Sequence, residues 1–342
     1  MTPPTPSPAA PLEVTDEATA IPAKSPAPKG SESRSPGRLA WSRFKRDRSG
    51  VISAYVVIFF FVVAIGAPLI SKLYGKDPYT TYGMNQPGLL NEFSFPIKPN
   101  GGISSDFWLG VEPILGRDVM TFLLYGMRNS LLIAGVATLL TTLLGVVVGI
   151  TAGYLGGKTD YLVGRIIDIL LAFPQTLFFI AFWPVVLAIF VSPEENTPDW
   201  LTVTSLILVM TAFGWASIAR LLRGEVLALR EREFVEAAKV TGASPARIIF
   251  KELLPNLWTP ILIQSTLLLP AYVTAEAGLA FLGVGLTDPT PDWGVMLQFG
   301  AKYYQDDITF MLVPGISMVI FVVAFNLLGD SVRDALDPKT KR

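Results

Sequence analysis

Six long apolar runs constrain this chain more than any other feature of its sequence. A helix needs about 20 predominantly apolar residues to cross a lipid bilayer, and each run is close to that length or longer. The runs cover approximately Val51–Ile70, Ser130–Thr151, Ile166–Val191, Leu201–Ala219, Leu257–Leu282 and Phe310–Leu328. Only 16% of the residues are charged and the mean hydropathy is +0.48, which is typical of a protein that crosses the membrane several times. We therefore expect an all-α membrane protein with six transmembrane helices.

Basic residues predict the side of the membrane on which each end of the chain lies. Five cations precede the first run, at Arg38, Arg43, Lys45, Arg46 and Arg48. Because cytoplasmic segments carry an excess of Lys and Arg, this cluster places the N-terminus in the cytoplasm. An even number of spans returns the C-terminus to the same side. The long segment 71–127, between the first two runs, is then external.

The domain division follows from composition. Residues 1–38 are rich in Pro, Ala and Ser and hold almost no side chains that could build a core. They predict a disordered cytoplasmic tail, and they lack the basic start and short apolar stretch of a secretory signal. Residues 39–342 form the predicted transmembrane domain. Its external segment 71–127 is expected to be a small ordered structure, because it carries aromatic residues that suit a linker poorly: Phe93, Phe95, Phe107 and Trp108.

Composition also excludes several kinds of chemistry. The chain contains no Cys and no His, which removes disulfides, thiol nucleophiles, zinc sites and imidazole acid–base catalysis. A net charge of -1 gives no basic field for nucleic acid. The run AGYLGGKT at Ala152–Thr159 is close to a phosphate-binding loop, but it lacks the first glycine and a preceding strand. We interpret it as a short cytoplasmic turn, so any ATPase must be a separate polypeptide.

Residues 236–256 read EAAKVTGASPARIIFKELLPN and lie between the fourth and fifth apolar runs. The charged stretch that leads into them favours a helix, and Gly242 is placed to end it in a left-handed turn. Ser244 can cap a second helix that has Pro245 at its first position, and Pro255 is expected to end that helix. The pattern predicts a short cytoplasmic helix-turn-helix, shaped to dock into another protein. The alternative is a plain connector between two membrane helices.

The same residues carry a resemblance to a known family. The Glu-Ala-Ala at Glu236, the glycine six residues later and the closing Leu-Pro resemble the cytoplasmic signature loop of permease subunits of binding-protein-dependent ABC importers. Further similar segments are DILLAFP at 168–174, LREREFVEAA at 229–238, FLGVG at 281–285, PDWGVML at 291–297 and FNLLGDSVRDALDP at 325–338. Together they resemble the second permease subunit of an oligopeptide or dipeptide importer, in a subfamily that includes nickel importers. In two departures, Val111-Glu112 replaces the usual Thr-Asp and Glu252 replaces a usual His.

The resemblance implies the type I ABC importer permease fold in the cytoplasmic membrane of a prokaryote, multi-pass and non-catalytic. It implies a homologous permease, two ATPase subunits that bind ATP and magnesium, an external substrate-binding protein and membrane lipid as partners. Residues 223–256 would be the coupling loop, and the cargo would be oligo- or dipeptides. The implied ATPase-coupling residues are Glu236, Ala237, Ala238, Gly242, Ser244 and Pro245.

Three alternatives to a peptide importer stay open. The same architecture could import nickel or another small solute. An ion-driven secondary transporter would show more intramembrane carboxylates and an inverted repeat with broken helices, neither of which is clear in this sequence. A membrane-anchored scaffold would be compatible with the long external segment, but the cytoplasmic signature argues against it.

Several residues within the apolar runs are candidates for a role of their own. Gly145, Gly149 and Gly153 have the spacing that lets helix backbones approach closely, either at the interface with a partner permease or within this subunit. Pro174 and Pro270 are expected to kink their helices.

Two carboxylates lie in or near the apolar runs, where a charge costs about 2.5–3.5 kcal/mol at the membrane centre on insertion scales. Asp168 has Arg165 three residues earlier, so a local ion pair is expected. Glu276 is expected to hydrogen-bond a neighbouring helix, and lining the translocation pathway is the alternative.

Overall fold

The computed structural model describes residues 36–336 except 193, 195 and 196. Residues 1–35, which hold most of the predicted tail, lie outside the described residues. Within the described part, every regular element is helical apart from two isolated β-bridges. The elements are α1 (Pro36–Phe44), α2 (Arg48–Tyr74), α3 (Tyr82–Asn85), α4 (Pro99–Gly102), α5 (Val119–Leu155), α6 (Gly157–Ala172), α7 (Gln175–Phe190), α8 (Asp199–Leu229), α9 (Glu233–Val240), α10 (Pro245–Arg247), a π-helical turn (Ile248–Leu253), α11 (Leu254–Phe281), α12 (Trp293–Tyr303) and α13 (Ile308–Leu336). Since α1 starts at Pro36, the last three residues of the predicted tail are helical.

Five of the six predicted spans are continuous helices, and the third is broken. Helices α6 and α7 meet at an angle of 83° within the run predicted as one span, Ile166–Val191. Phe173 is extended at φ -85 and ψ 129, because the residue before a proline is restricted away from the helical region. Pro174 therefore breaks the span more sharply than a kink. Pro270, in contrast, lies inside α11, which continues unbroken to Phe281.

Helix α5 packs along α8 at the centre of the bundle. All three of the glycines predicted to allow close approach are buried there. A Cβ on Gly145 would lie 2.7 Å from Ile218, and one on Gly149 would lie 2.7 Å from the carbonyl oxygen of Ala219. Gly153 approaches the same helix. These glycines form the α5–α8 contact within the chain, which is the within-subunit alternative of the two predicted from their spacing.

The segment between α2 and α5 is shorter than the predicted 71–127, because both helices extend into that range. The remaining segment, 75–118, is ordered around Phe107, which is 2% exposed and lies 3.7 Å from the Lys76 ammonium. Phe93 and Trp108 are 77% and 57% exposed, so only part of the aromatic set forms its core.

A buried ion cluster joins the 75–118 segment to the loop that follows α11. The Arg117 side chain is 2% exposed and its guanidinium holds Glu112 through two hydrogen bonds, one of them at 2.7 Å. It also donates to Asp288 at 2.5 Å and lies 4.4 Å from the Phe122 ring centre. We call Arg117, Glu112 and Asp288 the Arg117 cluster. Because the pairing spans 171 positions, sequence patterns did not reveal it.

Candidate functional site

Within 223–256, which we call the 223–256 loop, residues 223–229 complete α8, and a tight turn joins the short helix α9 to the helix that begins at Pro245. Helix α9 ends at Val240, and the N–H groups of Gly242 and Ala243 donate to the carbonyls of Lys239 and Ala238, each at 3.0 Å. Gly242 has φ +80, the left-handed conformation that this helix-ending motif requires. The turn therefore has the geometry predicted from the sequence.

The second helix starts as predicted but does not end where predicted. The Ser244 hydroxyl accepts the N–H of Arg247 at 3.4 Å, and Pro245 occupies the first turn. Pro255, however, lies in the first turn of α11 rather than at a helix end. The π-helical turn before it is closed by the Leu254 N–H, which donates to the Ile249 carbonyl five residues back. The chain thus runs as helix from Pro245 to Phe281, 37 residues in all.

Pro255 has no N–H to donate, and the carbonyls that such an N–H would meet four or five residues back are those of Lys251 and Phe250. The Asn256 side chain makes a separate hydrogen bond to the backbone. It donates its amide to the Glu252 carbonyl at 2.6 Å. Glu252 occupies the position where the resembling family usually has His, and here it is the backbone carbonyl of that residue that makes the contact.

Buried apolar side chains anchor the loop to the membrane helices. Val235 of α9 and Leu253 of the π-helical turn are each 0% exposed. They belong to one cluster with Ile248 of the same π-helical turn and with residues of α5, α8 and α11: Ile150, Ile218, Leu222, Val226, Leu257 and Ile261. Burying a side chain of this size is worth about 1.5–3 kcal/mol. The loop is therefore fixed to the bundle rather than hanging from it.

The outer surface of the loop is exposed and partly apolar. Val240 is 88% exposed and Phe250 67% exposed, on either side of the turn. The predicted coupling residues Glu236, Ala237, Gly242, Ser244 and Pro245 are all exposed, and Ala238 is half-buried. Two large apolar side chains therefore stand exposed on an element that is otherwise anchored to the bundle. Among the described residues no group of three side chains that could hold a metal ion is found.

Residues 145–342, which include this loop, match the family described as "Binding-protein-dependent transport system inner membrane component". Residues 35–91 match a second family, the "N-terminal TM domain of oligopeptide transport permease C". The chain is a member of the binding-protein-dependent transport family. The resemblance predicted from the sequence is thereby confirmed.

Similar proteins agree with this membership. The chain is 35% identical to the dipeptide transport system permease protein DppC of Alkalihalophilus pseudofirmus, over 90% of this chain and 91% of that protein. It is 36% identical to DppC of Bacillus subtilis, over 89% of this chain and 86% of that one. It is 33% identical to the oligopeptide transport system permease protein OppC of Bacillus subtilis, over 89% of this chain and 90% of that protein.

A solved structure confirms the predicted fold. One chain of the MetNI methionine ABC transporter, in an inward-facing conformation, superimposes on this protein with a TM-score of 0.51 at 21% sequence identity. The match covers 64% of this chain and 98% of the MetNI chain. The all-helical type I ABC importer permease fold is therefore that of this inner-membrane component.

Asp168 of this transport component forms an ion pair across two helices. Its carboxylate accepts from Arg220 on α8 at 2.5 Å, while the predicted partner, Arg165, is 3.9 Å away on the same helix. All three side chains are at least half exposed. The predicted local pair exists, but the closer partner is the one on α8.

Glu276 is 0% exposed and lies beside two side chains from other elements, Asp292 and Ser130. Asp292 accepts from Ser130 Oγ at 2.7 Å and from the N–H of Gly294 at 2.7 Å. Neither oxygen of Glu276 completes a hydrogen bond within the described part of the chain. Glu276 thus approaches neighbouring elements as predicted, at Asp292 and Ser130, but the predicted hydrogen bond is not completed in the described part of the chain.

Proposed function

We propose that this chain is one of two permease subunits of an ATP-driven importer that moves oligo- or dipeptides across the cytoplasmic membrane of a prokaryote. Family membership supports the transport role. The names of the similar proteins, which are dipeptide and oligopeptide permeases over about nine-tenths of the chain, support the peptide cargo. The basic cluster before α2 supports cytoplasmic N- and C-termini.

The partners proposed are a homologous permease, two ATPase subunits that hold ATP and magnesium, and an external substrate-binding protein. The 223–256 loop is the part that docks on an ATPase. The observation that carries this proposal is the exposure of Val240 and Phe250, at 88% and 67%, on an element that the buried side chains of Val235 and Leu253 anchor to the bundle.

Each predicted coupling residue has a defined part in this docking. Glu236 offers its carboxylate to a cation on the ATPase. Ala237 and Ala238 add little bulk, so the partner surface can approach the helix closely. Gly242 makes the tight turn between the helices, and Ser244 with Pro245 fixes where the second helix begins.

Movement of the loop reaches the membrane through two routes. The cluster around Val235 packs it against α5 and α8, and the continuous helix from Pro245 passes directly into α11. Closure of the ATPase pair on ATP would therefore shift α8 and α11 together. The bundle would then change between inward- and outward-facing states, whose populations are set by differential binding.

Two substitutions test the docking role. Glu236→Arg reverses the charge offered to the ATPase, and Gly242→Pro prevents the turn. Both should abolish ATP-driven uptake of labelled di- and tripeptides in proteoliposomes while membrane insertion stays normal. The control is Glu92→Arg, which reverses an exposed carboxylate on the 75–118 segment and should leave ATPase pull-down unchanged. Normal uptake by both loop variants would refute the docking role, and uptake of nickel instead of peptides would refute the cargo.

The proposed orientation has its own test, which uses the absence of cysteine from the chain. Thr241→Cys places a thiol on the exposed turn of the loop, and Glu92→Cys places one on the 75–118 segment. In intact cells a membrane-impermeant maleimide should label position 92 and spare position 241. The reverse pattern would overturn the orientation.

A further inference from the structure

The helix α1 (Pro36–Phe44) takes no part in the function proposed above. Asp47, between α1 and α2, is extended at φ -82 and ψ 104, and its carboxylate caps α2 by accepting the Ser49 N–H at 3.1 Å. An extended residue breaks the helical path, so α1 leaves the axis of α2. It packs instead against α13.

The surroundings of α1 place it where the membrane-facing surface of the protein begins. Gly50, near the start of α2, approaches α13 so closely that a Cβ there would lie 2.5 Å from Ser331. One turn further along α2, the exposed apolar surface starts with Ile52 and Tyr55, which are 63% and 71% exposed. Helix α1 therefore lies level with one edge of the hydrocarbon-facing surface.

The side chains of α1 divide between a face toward the bundle and an exposed aromatic face. Ala40 and Phe44, four residues apart, are half-buried. Trp41 is 58% exposed and Leu39 41% exposed. The Trp41 ring stacks on Phe44 at 5.7 Å, and the Lys45 ammonium lies 5.1 Å from its centre. An exposed tryptophan held in place beside a cation suits the headgroup level of a membrane.

The cations around α1 call for an anionic partner. Arg38, Lys45 and Arg46 are exposed, and none of them forms an ion pair within residues 36–336. Arg43 and Arg48 add to the same positive field. Cations beside an anionic membrane surface increase binding by about fivefold each.

We propose that α1 and the linker to α2 form a binding surface for anionic phospholipid headgroups. Arg38, Lys45 and Arg46 contact the lipid phosphates, while Trp41 and Leu39 enter the boundary between headgroups and acyl chains. The partner is a lipid rather than free phosphate, because exposed apolar side chains stand among the cations. The inference rests on the membrane orientation proposed above, but lipid binding can be measured without transport.

The experiment uses the complete transporter in nanodiscs. Gly37→Cys puts the chain's single thiol on α1 at a position with open space around it, where a fluorophore can be attached. The discs contain phosphatidylcholine and phosphatidylglycerol, and either lipid in turn carries a nitroxide quencher near its headgroup. Labelled phosphatidylglycerol should quench the fluorophore more strongly than labelled phosphatidylcholine.

Two variants separate the contributions of charge and apolar contact. Neutralising Arg38, Lys45 and Arg46 to Gln should lower the preference for phosphatidylglycerol on the order of tenfold or more. Trp41→Ser should weaken quenching by both lipids and keep the preference. The matched control neutralises three exposed cations of the 223–256 loop, Arg232, Lys239 and Lys251, and should leave the preference unchanged.

Several results would overturn the proposal. These are equal quenching by the two lipids in the unmodified chain, an unchanged preference in the neutralised variant, or loss of the preference when millimolar glycerophosphoglycerol is added. The orientation of each variant is checked separately in intact cells, with Thr241→Cys in place of Gly37→Cys and the membrane-impermeant maleimide. Loss of peptide uptake with an intact lipid preference would count against the proposed function alone.

Discussion

Two charged regions of this transport component are built in opposite ways. In the Arg117 cluster one guanidinium, 2% exposed, is held by two carboxylates. On the 223–256 loop, Glu236, Lys239 and Arg247 are exposed. A buried charge that loses its partner is strongly destabilising, whereas an exposed ion pair contributes only about 0–1 kcal/mol. The contrast teaches that charge at the first region holds segments of this chain together, while charge at the second is available to another protein.

The largest effect is expected from Arg117→Met. It leaves the Glu112 carboxylate buried without its partner and should lower the free energy of unfolding by about 3–5 kcal/mol. The matched control is Arg247→Met on the 223–256 loop, which should change stability by less than about 0.5 kcal/mol. Thermal unfolding of the purified complexes measures both. Equal losses of stability in Arg117→Met and Arg247→Met would contradict this difference between the two regions.

The pH dependence of the same variant sharpens the comparison. Burial raises the pKa of the Glu112 carboxyl, and the ion pair with Arg117 opposes that rise. Without the guanidinium the pKa rises further. A carboxyl whose pKa is raised by folding stabilises the folded state while protonated, and that stability is lost as the pH rises through the folded pKa. Arg117→Met should therefore lose more stability than the unmodified protein as the pH rises above the ordinary titration range of a carboxyl group.

Val240→Ser combined with Phe250→Ser is expected to weaken binding of the ATPase while leaving stability almost unchanged. Both side chains are mostly exposed, so unfolding should shift by no more than about 0.5 kcal/mol. Pull-down of the ATPase should nevertheless fall at least tenfold, because apolar contacts at a docking surface commonly contribute more than about 1.4 kcal/mol together. Phe93→Ser, equally exposed on the 75–118 segment, is the control and should not alter pull-down. A large loss of stability with unchanged pull-down would assign these residues to folding.

Glu276→Gln is expected to raise the free energy of unfolding, by less than Arg117→Met lowers it. Glu276 is buried, yet its oxygens have no hydrogen-bond partner in the described chain. An amide N–H at this position can donate to Asp292, so the variant should be more stable by about 1 kcal/mol. Thermal unfolding and peptide uptake should be measured together. Uptake lost at full complex yield would instead make Glu276 part of the pathway, and a less stable complex would contradict the packing argument.

The smallest effect is expected from deleting residues 1–35. Their composition offers little to a core, and α1 with its cations remains in place. Complex yield and ATP-dependent uptake should stay within twofold of the full chain, a difference of about 0.4 kcal/mol. A severe loss of either would show that this segment has a function of its own.

Local sequence patterns predicted most of the bundle and the turn of the 223–256 loop. Apolar length alone located the spans, since a bilayer sets one minimum length for every helix that crosses it. Gly242, Ser244 and Pro245 act within a few residues of their positions in the chain, so their geometry could be predicted without the fold. The docking role of the loop stays a prediction.

The predictions that needed correction depend on contacts or on competing local preferences. Pro255 is predicted to end a helix, but it lies in the first turn of α11 directly after the π-helical turn, and the helix continues past it. The glycines of α5 carried a spacing that fits any close helix contact, and only the fold shows that α8 is the neighbour. The Arg117 cluster requires Asp288, which no local pattern could connect to Arg117.

The helix from Pro245 to Phe281 is continuous, so a displacement at one end can be carried along it to the other. At 1.5 Å per residue its 37 residues measure about 55 Å, with the loop at one end and Glu276 about 45 Å along it. Between the loop and Glu276 the helix is held in place by contacts with α5 and α13. A sideways displacement of the loop end must then move the Glu276 end in the opposite direction, unless the helix bends at Pro260 or Pro270. If the loop docks on an ATPase as proposed, the stiffness of these two proline sites sets how much of a displacement of the loop reaches the other end of the helix.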